Sequence, residues 1–215
     1  MAKERRSRLL SVKNVLDKKF EEYTHFKGVL KKVLGTPDVG GYWAIQGPEK
    51  NGKTWLSVML AVDFSREYNT LYISGEEGIS KWFQDTLSRV GTDTNNCNLL
   101  LEEYMELEEI EHYISRRRGR ISVVILDNAT VYADELKNGH VRRLQKKYPD
   151  TLFIVPMHEE DGKPYTATAK LIKKLAKVIF IVKGLRVEVG GRVPGGLFDI
   201  DTEAAALYHG QMDDN

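Results

Sequence analysis

Eight consecutive residues carry the clearest chemical signal in this chain. Residues 47–54 have the sequence GPEKNGKT, which satisfies the pattern G-x-x-x-x-G-K-[ST]. The glycines of this pattern allow backbone N–H groups to turn inward around an anionic phosphate, because glycine adopts conformations that are closed to other residues. The lysine and the hydroxyl side chain at its end bind phosphate oxygens and a magnesium ion. The stretch therefore predicts a phosphate-binding loop.

The last two residues of this loop have expected roles in ATP binding. Lys53 would reach the β- and γ-phosphates, and the hydroxyl group of Thr54 would bind Mg²⁺. Residues 41–46 are predicted to form a buried strand that enters the loop, and residues 55–62 the helix that leaves it with its positive end toward the phosphates. The predicted cofactor-binding residues are Gly47, Pro48, Glu49, Lys50, Asn51, Gly52, Lys53, Thr54 and Trp55.

A second motif lies downstream of the loop. Residues 121–127 form an apolar run, ISVVILD, that ends in Asp127. In phosphate-loop ATPases an aspartate at this point holds the hydration shell of the bound Mg²⁺. An apolar run before an aspartate is weak evidence alone, but it is strong downstream of a complete phosphate loop. The predicted metal-binding residues are therefore Thr54 and Asp127.

Hydrolysis of ATP also needs a group that activates or positions the attacking water. Many phosphate-loop ATPases have a glutamate directly after this aspartate, whereas the present chain has Asn128. The remaining candidates are Glu76 and Glu77, which follow the predicted strand at residues 70–74. Two adjacent carboxylates at the end of a buried strand are costly unless they face solvent, a metal ion or a reacting water.

Four stretches resemble the RecA/RadA/DnaB-helicase/KaiC ATPase superfamily, and most closely the RadA-like ATPase core. They are VLG…VGGYWAIQGPEKNGKTWLS, LYISGEE, VVILDN and GGRVPGGLFDIDTEAAALYHG. The likeness spans residues 29–210, and it is specific in the two motifs and the SGEE turn. It implies a RecA-like fold in which the last stretch forms a terminal hairpin and a closing strand. The family's cysteine zinc ribbon has no counterpart here, because Cys97 is the single cysteine.

The resemblance also implies roles for individual residues. Glu76 would be the catalytic carboxylate, with Glu77 as the alternative, and His158 would sense the γ-phosphate. A polar residue at a strand end with no role is the other interpretation of His158. The resemblance further implies an oligomer in which ATP lies between subunits and a basic residue of the neighbouring subunit contacts the γ-phosphate. The candidates are Lys183, Arg186 and Arg192, with Arg192 first because glycines bracket it; plain surface charge is the alternative for each.

Strand-like and helix-like patterns alternate along the whole chain. This alternation predicts an α/β fold with a mostly parallel central sheet flanked by helices, and the glycine-separated strands at the end predict C-terminal β-hairpins. Both motifs follow the carboxyl ends of their strands, where open α/β sheets bind ligands. The expected division is a basic N-terminal helical segment at residues 1–34 and a RecA-like ATPase domain at residues 35–215.

The N-terminal segment is strongly basic. Residues 1–32 hold ten basic and four acidic residues. Helical spacing predicts an amphipathic helix that begins near Ser11 and has an apolar stripe of Val12, Val15, Leu16, Phe20 and Tyr23. The helix would either pack this stripe on the domain or contact nucleic acid through its basic residues.

Composition restricts the cellular setting. The net charge of +1 implies no particular partner, and a single cysteine excludes an internal disulfide framework and fits a reducing compartment. No apolar run approaches the ~18 residues of a membrane span, and the N-terminus is too charged for a secretory signal. A cytoplasmic protein with no membrane partner is expected.

These observations together predict a Mg²⁺-dependent ATPase that works as a homo-oligomer in DNA metabolism, with single-stranded DNA a more expected partner than duplex. The short loop after Asp127 leaves no long DNA-gripping segment there, so the DNA partner does not follow from the resemblance alone. Two alternatives stay open. One is a slow ATP-binding switch that recruits partner proteins, and the other is a small phosphate-loop kinase.

Overall fold

A sheet of nine strands organises the computed structural model, which describes residues 9–210. The strands are β1 (Gly41–Gly47), β2 (Thr70–Ser74), β3 (Leu99–Glu102), β4 (Val123–Asp127), β5 (Leu152–Glu160), β6 (Lys163–Pro164), β7 (Val178–Lys183), β8 (Arg186–Gly191) and β9 (Gly196–Asp199). The helices are α1 (Val12–Leu16), α2 (Gly28–Leu34), α3 (Lys53–Phe64), α4 (Lys81–Val90), α5 (Leu107–Ser115), α6 (His140–Lys147), α7 (Ala167–Leu175) and α8 (Thr202–His209).

The strands follow the order β3-β2-β4-β5-β1-β7-β8-β9, and β6 pairs with β5. The strands from β3 to β7 in this order run parallel, whereas β8 and β9 are antiparallel additions at one edge. β5 lies between β1, which enters the phosphate loop, and β4, which ends in Asp127. The predicted α/β class, with its mostly parallel sheet and C-terminal hairpins, is confirmed.

Helices cover both faces of the parallel strands. On one face Trp43 and Ile45 pack with α2, α3 and α4, and on the other face Tyr42 and Ala44 pack with α5, α6 and α7. Every residue of β1, β2 and β4 is buried, as is typical of parallel strands covered on both sides. Packing from both sides holds the carboxyl ends of these strands in fixed relative positions, and the functional loops begin there.

The N-terminal segment differs from the expected amphipathic helix. α1 begins after Ser11 as predicted, but it has only five residues and none of them is buried. Of the predicted apolar stripe, Tyr23 is buried and the other four side chains are exposed. Tyr23 packs together with Phe26 against Trp43. α2 contributes to the same core as α3, so part of the segment at residues 1–34 is continuous with the domain core. The basic residues Lys3, Arg5, Arg6 and Arg8 lie outside the described residues.

The expected closing strand at the C-terminus is wrong, because residues after β9 form α8. Asp201 caps this helix by accepting a hydrogen bond from the backbone N–H of Ala204 at 2.9 Å. An aspartate cap followed by an alanine-rich run favours a helix. The sequence pattern also predicts a helix that runs from residues 102–111 to the arginines at 116–118, a helix from Glu135 to Lys147, and a flexible loop from Glu159 to Thr168. The structure differs at these element ends: α5 stops before the arginines, α6 begins at His140, and β5 continues into a hairpin with β6. Within residues 9–210, no helix has the length and apolar character needed to cross a bilayer.

Candidate nucleotide-binding site

The phosphate loop connects β1 to α3, as predicted, and the local geometry requires both of its glycines. A Cβ atom at Gly47 would lie 2.1 Å from the carbonyl oxygen of Val182, which excludes any side chain. Gly52 has a φ of +105°, and a Cβ atom there would lie 2.6 Å from the side chain of Leu185. Gly52 also precedes the first turn of α3, so the unpaired N–H groups of that turn face the loop.

The turn between β7 and β8 supports the loop from outside. The backbone N–H of Gly184 donates to the Asn51 side-chain oxygen at 2.8 Å, and the N–H of Leu185 donates to the Asn51 carbonyl at 3.1 Å. Asn51 in turn donates to the carbonyl of Glu49 at 2.7 Å. Asn51 therefore stabilises the loop rather than facing the phosphates.

Lys53 is buried, with 7% of its surface exposed, and its Nζ donates to the carbonyl of Pro48 at 2.7 Å. Burial lowers the pKa of this amine, while the carboxylates of Asp127 and Glu76 act in the opposite direction. An ammonium group in this setting lacks a full complement of hydrogen-bond acceptors, since it has three donors. Phosphate oxygens would supply the missing acceptors.

Asp127 lies at the end of β4, where two hydroxyl groups favour its charged form. Tyr72 donates to its Oδ2 at 2.5 Å, and the hydroxyl of Thr54 acts on the pKa of Asp127 in the same direction. Burial raises the pKa of Asp127 to about 6, and the carboxylates of Glu76 and Glu77 act in the same direction, against the two hydroxyl groups. A buried carboxylate whose charge is opposed by its surroundings is a suitable place for a cation.

The oxygen atoms of Thr54 and Asp127 fit Mg²⁺ in kind and number. Among residues 9–210 there is no group of three or more His, Cys, Asp or Glu side chains arranged to hold a metal ion. Mg²⁺ does not need such a cage, because it commonly keeps several water molecules and binds one or two protein oxygens together with the phosphates of a nucleotide. The residues present therefore suit a metal that arrives with its nucleotide.

Glu76 is held by residues from two neighbouring strands. His158 Nε2 lies 2.9 Å from Oε1 of Glu76, and Asn128 donates from Nδ2 to Oε2. Asn128 Nδ2 also lies 2.9 Å from His158 Nε2, so the three side chains form one cluster. Glu77, in contrast, has no such partners among residues 9–210; burial raises its pKa, and the Glu76 carboxylate adds to this effect.

A cavity of about 710 Å³ is lined by polar and charged side chains that include Lys53, Asp127, Glu76, Glu77 and His158. Its lining also contains Trp55, Trp82 and Arg89. Trp82 is 47% exposed, and the guanidinium of Arg89 lies 5.7 Å from the ring centroid of Trp55. A cavity that combines charged groups with aromatic surfaces matches the chemistry of a nucleoside triphosphate.

The three basic candidates for contact with a neighbour's γ-phosphate lie in different places. The backbone N–H of Arg192 donates to the carbonyl of Lys177 at 2.7 Å, beside the start of β7 and opposite the strand ends that carry the phosphate loop. Arg186 forms a two-point ion pair with Asp199, at 2.8 and 3.2 Å. Lys183 is exposed and lies next to the turn that supports the loop. Within one chain, none of them belongs to the cavity lining.

Four residues of the site lay outside the sequence predictions as functional groups: Tyr72, Trp82, Arg89 and Asn128. Tyr72 and Trp82 follow the pattern of ordinary core residues, so their spacing carried no distinct signal. For Asn128 the sequence pattern shows only that an asparagine takes the place of a glutamate. Its position directly after Asp127 is the signal that links it to the site.

The fold and the site together define a phosphate-loop protein with a RecA-like α/β fold. No protein-family model and no curated protein sequence matches the chain. Among solved structures it is similar to the flagellar accessory protein FlaH from Methanocaldococcus jannaschii, with 16% identity, a TM-score of 0.59, and 85% of this chain and 96% of FlaH covered. It is also similar to the ATP synthase subunit NeqB from Nanoarcheaum equitans, with 15% identity, a TM-score of 0.48, and 70% of this chain and 47% of NeqB covered. The match to FlaH shows the fold and does not single out the RadA-like branch.

Proposed function

We propose that this chain binds Mg²⁺-ATP and hydrolyses it. The observation that carries the proposal is the position of Glu76, whose carboxylate lines the same cavity as Lys53 and is oriented by His158 and Asn128. A carboxylate in this position can accept a proton from a water that attacks the γ-phosphate. No other acidic side chain in the cavity combines fixed orientation with access to solvent.

The remaining residues would bind and orient the nucleotide. Backbone N–H groups of the loop and Lys53 would hold the phosphates, and Thr54 and Asp127 would hold Mg²⁺, which when bound neutralises charge on the phosphate oxygens. Trp82 and Trp55 would provide apolar surfaces for the base, with Arg89 beside them. His158 would position Glu76 and change its contacts when the γ-phosphate leaves.

Phosphate release from Mg²⁺-ATP by the purified chain tests this proposal. The rate should be measurable with Mg²⁺ and lost with EDTA, and it should be followed with and without single- and double-stranded DNA. ATP that binds tightly but is not hydrolysed under any of these conditions would contradict the enzymatic part. Failure to bind ATP at all would contradict the whole proposal.

The proposed setting is DNA metabolism, with an oligomer as the active form and single-stranded DNA as the preferred nucleic acid. Exposed basic residues support it; they include Lys13, Lys18, Lys19, Arg142, Lys146, Lys170 and Lys174. Binding through phosphates gives a salt slope of about −0.7 per neutralised phosphate for single strands and about −0.9 for duplex. Fluorescence anisotropy of labelled oligonucleotides would measure it. Absence of binding at low salt, with or without ATP, would remove DNA from the proposal.

A slow ATP-dependent switch that recruits a partner protein is the second candidate. It is favoured by the engagement of both Glu76 oxygens, because the carboxylate must release a contact before it can orient water. Slow turnover that DNA does not stimulate, together with nucleotide-dependent capture of a partner, would support the switch over the DNA-dependent ATPase. Phosphoryl transfer from ATP to a nucleoside would instead indicate a kinase.

A further inference from the structure

A buried tyrosine fixes the direction of the Asp127 carboxylate. The hydroxyl of Tyr72 donates to Oδ2 of Asp127 at 2.5 Å, and both residues are buried. Of the two, Asp127 lines the nucleotide cavity and Tyr72 does not. The hydrogen bond therefore holds Oδ2 on the protein side of the carboxylate, and Oδ1 is the oxygen left for a ligand in the cavity.

The strand register brings this hydroxyl to the carboxylate. In the parallel pairing of β2 with β4, Tyr72 lies opposite Ile125 and Ser74 lies opposite Asp127. Residues two apart in a strand point to the same face of the sheet, so Tyr72 and Asp127 occupy diagonal positions on one face. A long aromatic side chain reaches a diagonal neighbour on the next strand, whereas a serine or threonine is too short.

The tyrosine ring is packed on the side away from the cavity. Its centroid lies 5.2 Å from that of Phe83 in α4, which is also fully buried. Both rings belong to the apolar core between the sheet and the helices α3 and α4. Rotation of the Asp127 carboxylate would leave the Tyr72 hydroxyl buried without a partner, which is unfavourable. The packing therefore opposes any turn of Oδ2 toward the cavity.

Mg²⁺ and Ca²⁺ make different demands on such a carboxylate. Mg²⁺ usually keeps several waters and binds one or two protein oxygens beside the phosphates, so Thr54 with one oxygen of Asp127 suits it. Ca²⁺ takes about six to eight oxygen ligands and often binds both oxygens of one carboxylate. With Oδ2 held by Tyr72, Asp127 has a single oxygen to offer. Residues 9–210 contain no group of three or more His, Cys, Asp or Glu that could supply the missing ligands.

We propose that Tyr72 makes the nucleotide site selective for Mg²⁺ over Ca²⁺ by restricting Asp127 to one available oxygen. Tyr72 is a positioning residue in this role, because it acts through Asp127 and does not line the cavity. Hydrogen bonds to metal-binding side chains typically change metal affinity about 10- to 100-fold. The inference rests on the proposed function and specifies which divalent ion the site accepts together with ATP.

Calorimetric titration tests the selectivity without any measurement of turnover. The Kd of ATP is measured without metal, with saturating Mg²⁺ and with saturating Ca²⁺, and the selectivity is the Kd for Ca²⁺-ATP divided by the Kd for Mg²⁺-ATP. This ratio should be at least about 10 for the wild type. It should fall close to one for Tyr72→Phe, because Oδ2 is then free to bind, while the Kd without metal should stay unchanged.

Tyr42→Phe is the matched control. It also removes a buried hydroxyl from the sheet, but this hydroxyl donates to the carbonyl of Val141 at 2.9 Å and does not contact Asp127. Its ratio should equal that of the wild type. Urea unfolding establishes that each variant is folded, and the ratio of the wild type can overturn the inference without any variant.

Combination with Asp127→Asn separates positioning from a general effect on the fold. Tyr72→Phe should change the ratio in the wild-type background and leave it unchanged in the Asp127→Asn background, since its effect passes through the carboxylate. An equal change in both backgrounds would overturn the inference. So would a wild type that binds Ca²⁺-ATP and Mg²⁺-ATP equally well, or a Tyr72→Phe variant with the wild-type ratio; ATP binding itself would stand in each case. A wild type that binds no ATP under any of the three conditions would overturn the proposed function as well.

Discussion

His158 and Glu76 are 82 positions apart in the chain, yet Nε2 of the imidazole lies 2.9 Å from Oε1 of the carboxylate. The contact exists because β2, β4 and β5 lie side by side, and each delivers one polar side chain to the same end of the sheet. Asn128, directly after β4, joins the two others. A carboxylate held in this way is oriented before any substrate arrives, which limits the reorganisation needed during a reaction.

Glu76→Gln should retain ATP binding and lose turnover. The amide keeps the shape of the side chain but cannot accept a proton from water, and loss of a general base typically lowers the rate by about 10²–10⁴-fold. Phosphate release and ATP affinity are measured separately, with Glu77→Gln as the matched control. A larger loss of rate in Glu77→Gln would exchange the roles of the two residues, and normal hydrolysis by both variants would contradict the proposed mechanism.

Lys53→Ala should bind ATP at least about 10-fold more weakly, because a charge-assisted hydrogen bond contributes about 1.5–3 kcal/mol. Lys50→Ala is the matched control, since Lys50 lies in the same loop but is exposed. Isothermal titration calorimetry with Mg²⁺-ATP measures the ATP affinity of both variants. Equal affinities for the two variants in folded protein would show that Lys53 does not bind the phosphates.

Trp82→Ala should weaken ATP binding about 10-fold and leave binding of inorganic triphosphate unchanged. Stacking of a base on an aromatic side chain is worth about 1–3 kcal/mol, and triphosphate has no base to stack. Tryptophan fluorescence gives a second measurement of ATP binding, because Trp82 is half exposed to solvent whereas Trp43 is fully buried. If the variant lost affinity for ATP and triphosphate equally, the role of Trp82 would be to maintain the fold of the cavity and not to stack on the base.

The stability of Asp127→Asn relative to the wild type should change with pH. Burial raises the pKa of Asp127 from its ordinary value of 3.8 to about 6, so the folded state holds this proton more tightly than the unfolded state does. The resulting stabilisation is complete below the unfolded pKa and is lost as pH rises through the folded pKa. A shift of this size corresponds to at most about 3 kcal/mol.

Urea unfolding of both proteins at pH values between about 4 and 7 measures this effect. All buffers have the same ionic strength and contain neither metal nor nucleotide. The variant should gain stability relative to the wild type as pH rises toward about 6, and the difference should then level off. Titrating groups that do not interact with Asp127 contribute equally to both proteins and cancel in the comparison. A constant difference across this range would show that the pKa of Asp127 is not raised.

Arg192→Ala should lower turnover far more than ATP affinity, and only in the assembled state. A cation supplied by a neighbouring subunit stabilises charge that develops during phosphoryl transfer, an effect of about 10³–10⁵-fold where it occurs. Specific activity of the wild type should rise with protein concentration. Mixing Arg192→Ala with Glu76→Gln should restore part of the activity, because one interface then combines an intact Glu76 with an intact Arg192.

Lys183→Ala is the comparison for this experiment, since Lys183 lies near the phosphate loop and Arg192 beside the start of β7. A selective loss of turnover in Lys183→Ala would assign the role to Lys183. An inert mixture of variants shown to co-assemble would contradict a contribution from Arg192. Neither result would change the roles proposed for the residues of the phosphate loop.

The sequence alone was sufficient to locate the phosphate loop, Asp127 and the α/β class. These features depend on local properties: glycines at fixed spacing, a lysine and a hydroxyl at the loop end, and continuous apolar runs that only buried parallel strands require. The α8 helix also has local signals, namely the cap at Asp201 and the alanines after it, whereas the family resemblance implied a closing strand for this stretch.

Only the tertiary structure decided which polar groups meet. The order of the strands brings His158 and Asn128 to Glu76, turns Tyr72 toward Asp127, and separates Arg192 from the phosphate loop of its own chain. It also leaves Ile181 and Leu197 on a face without a helix. Strand order depends on how helices and loops pack over the sheet, which is a property of contacts distant in sequence. Hydrophobic periodicity reports which side of an element is buried, but it does not report the neighbour against which that side is packed.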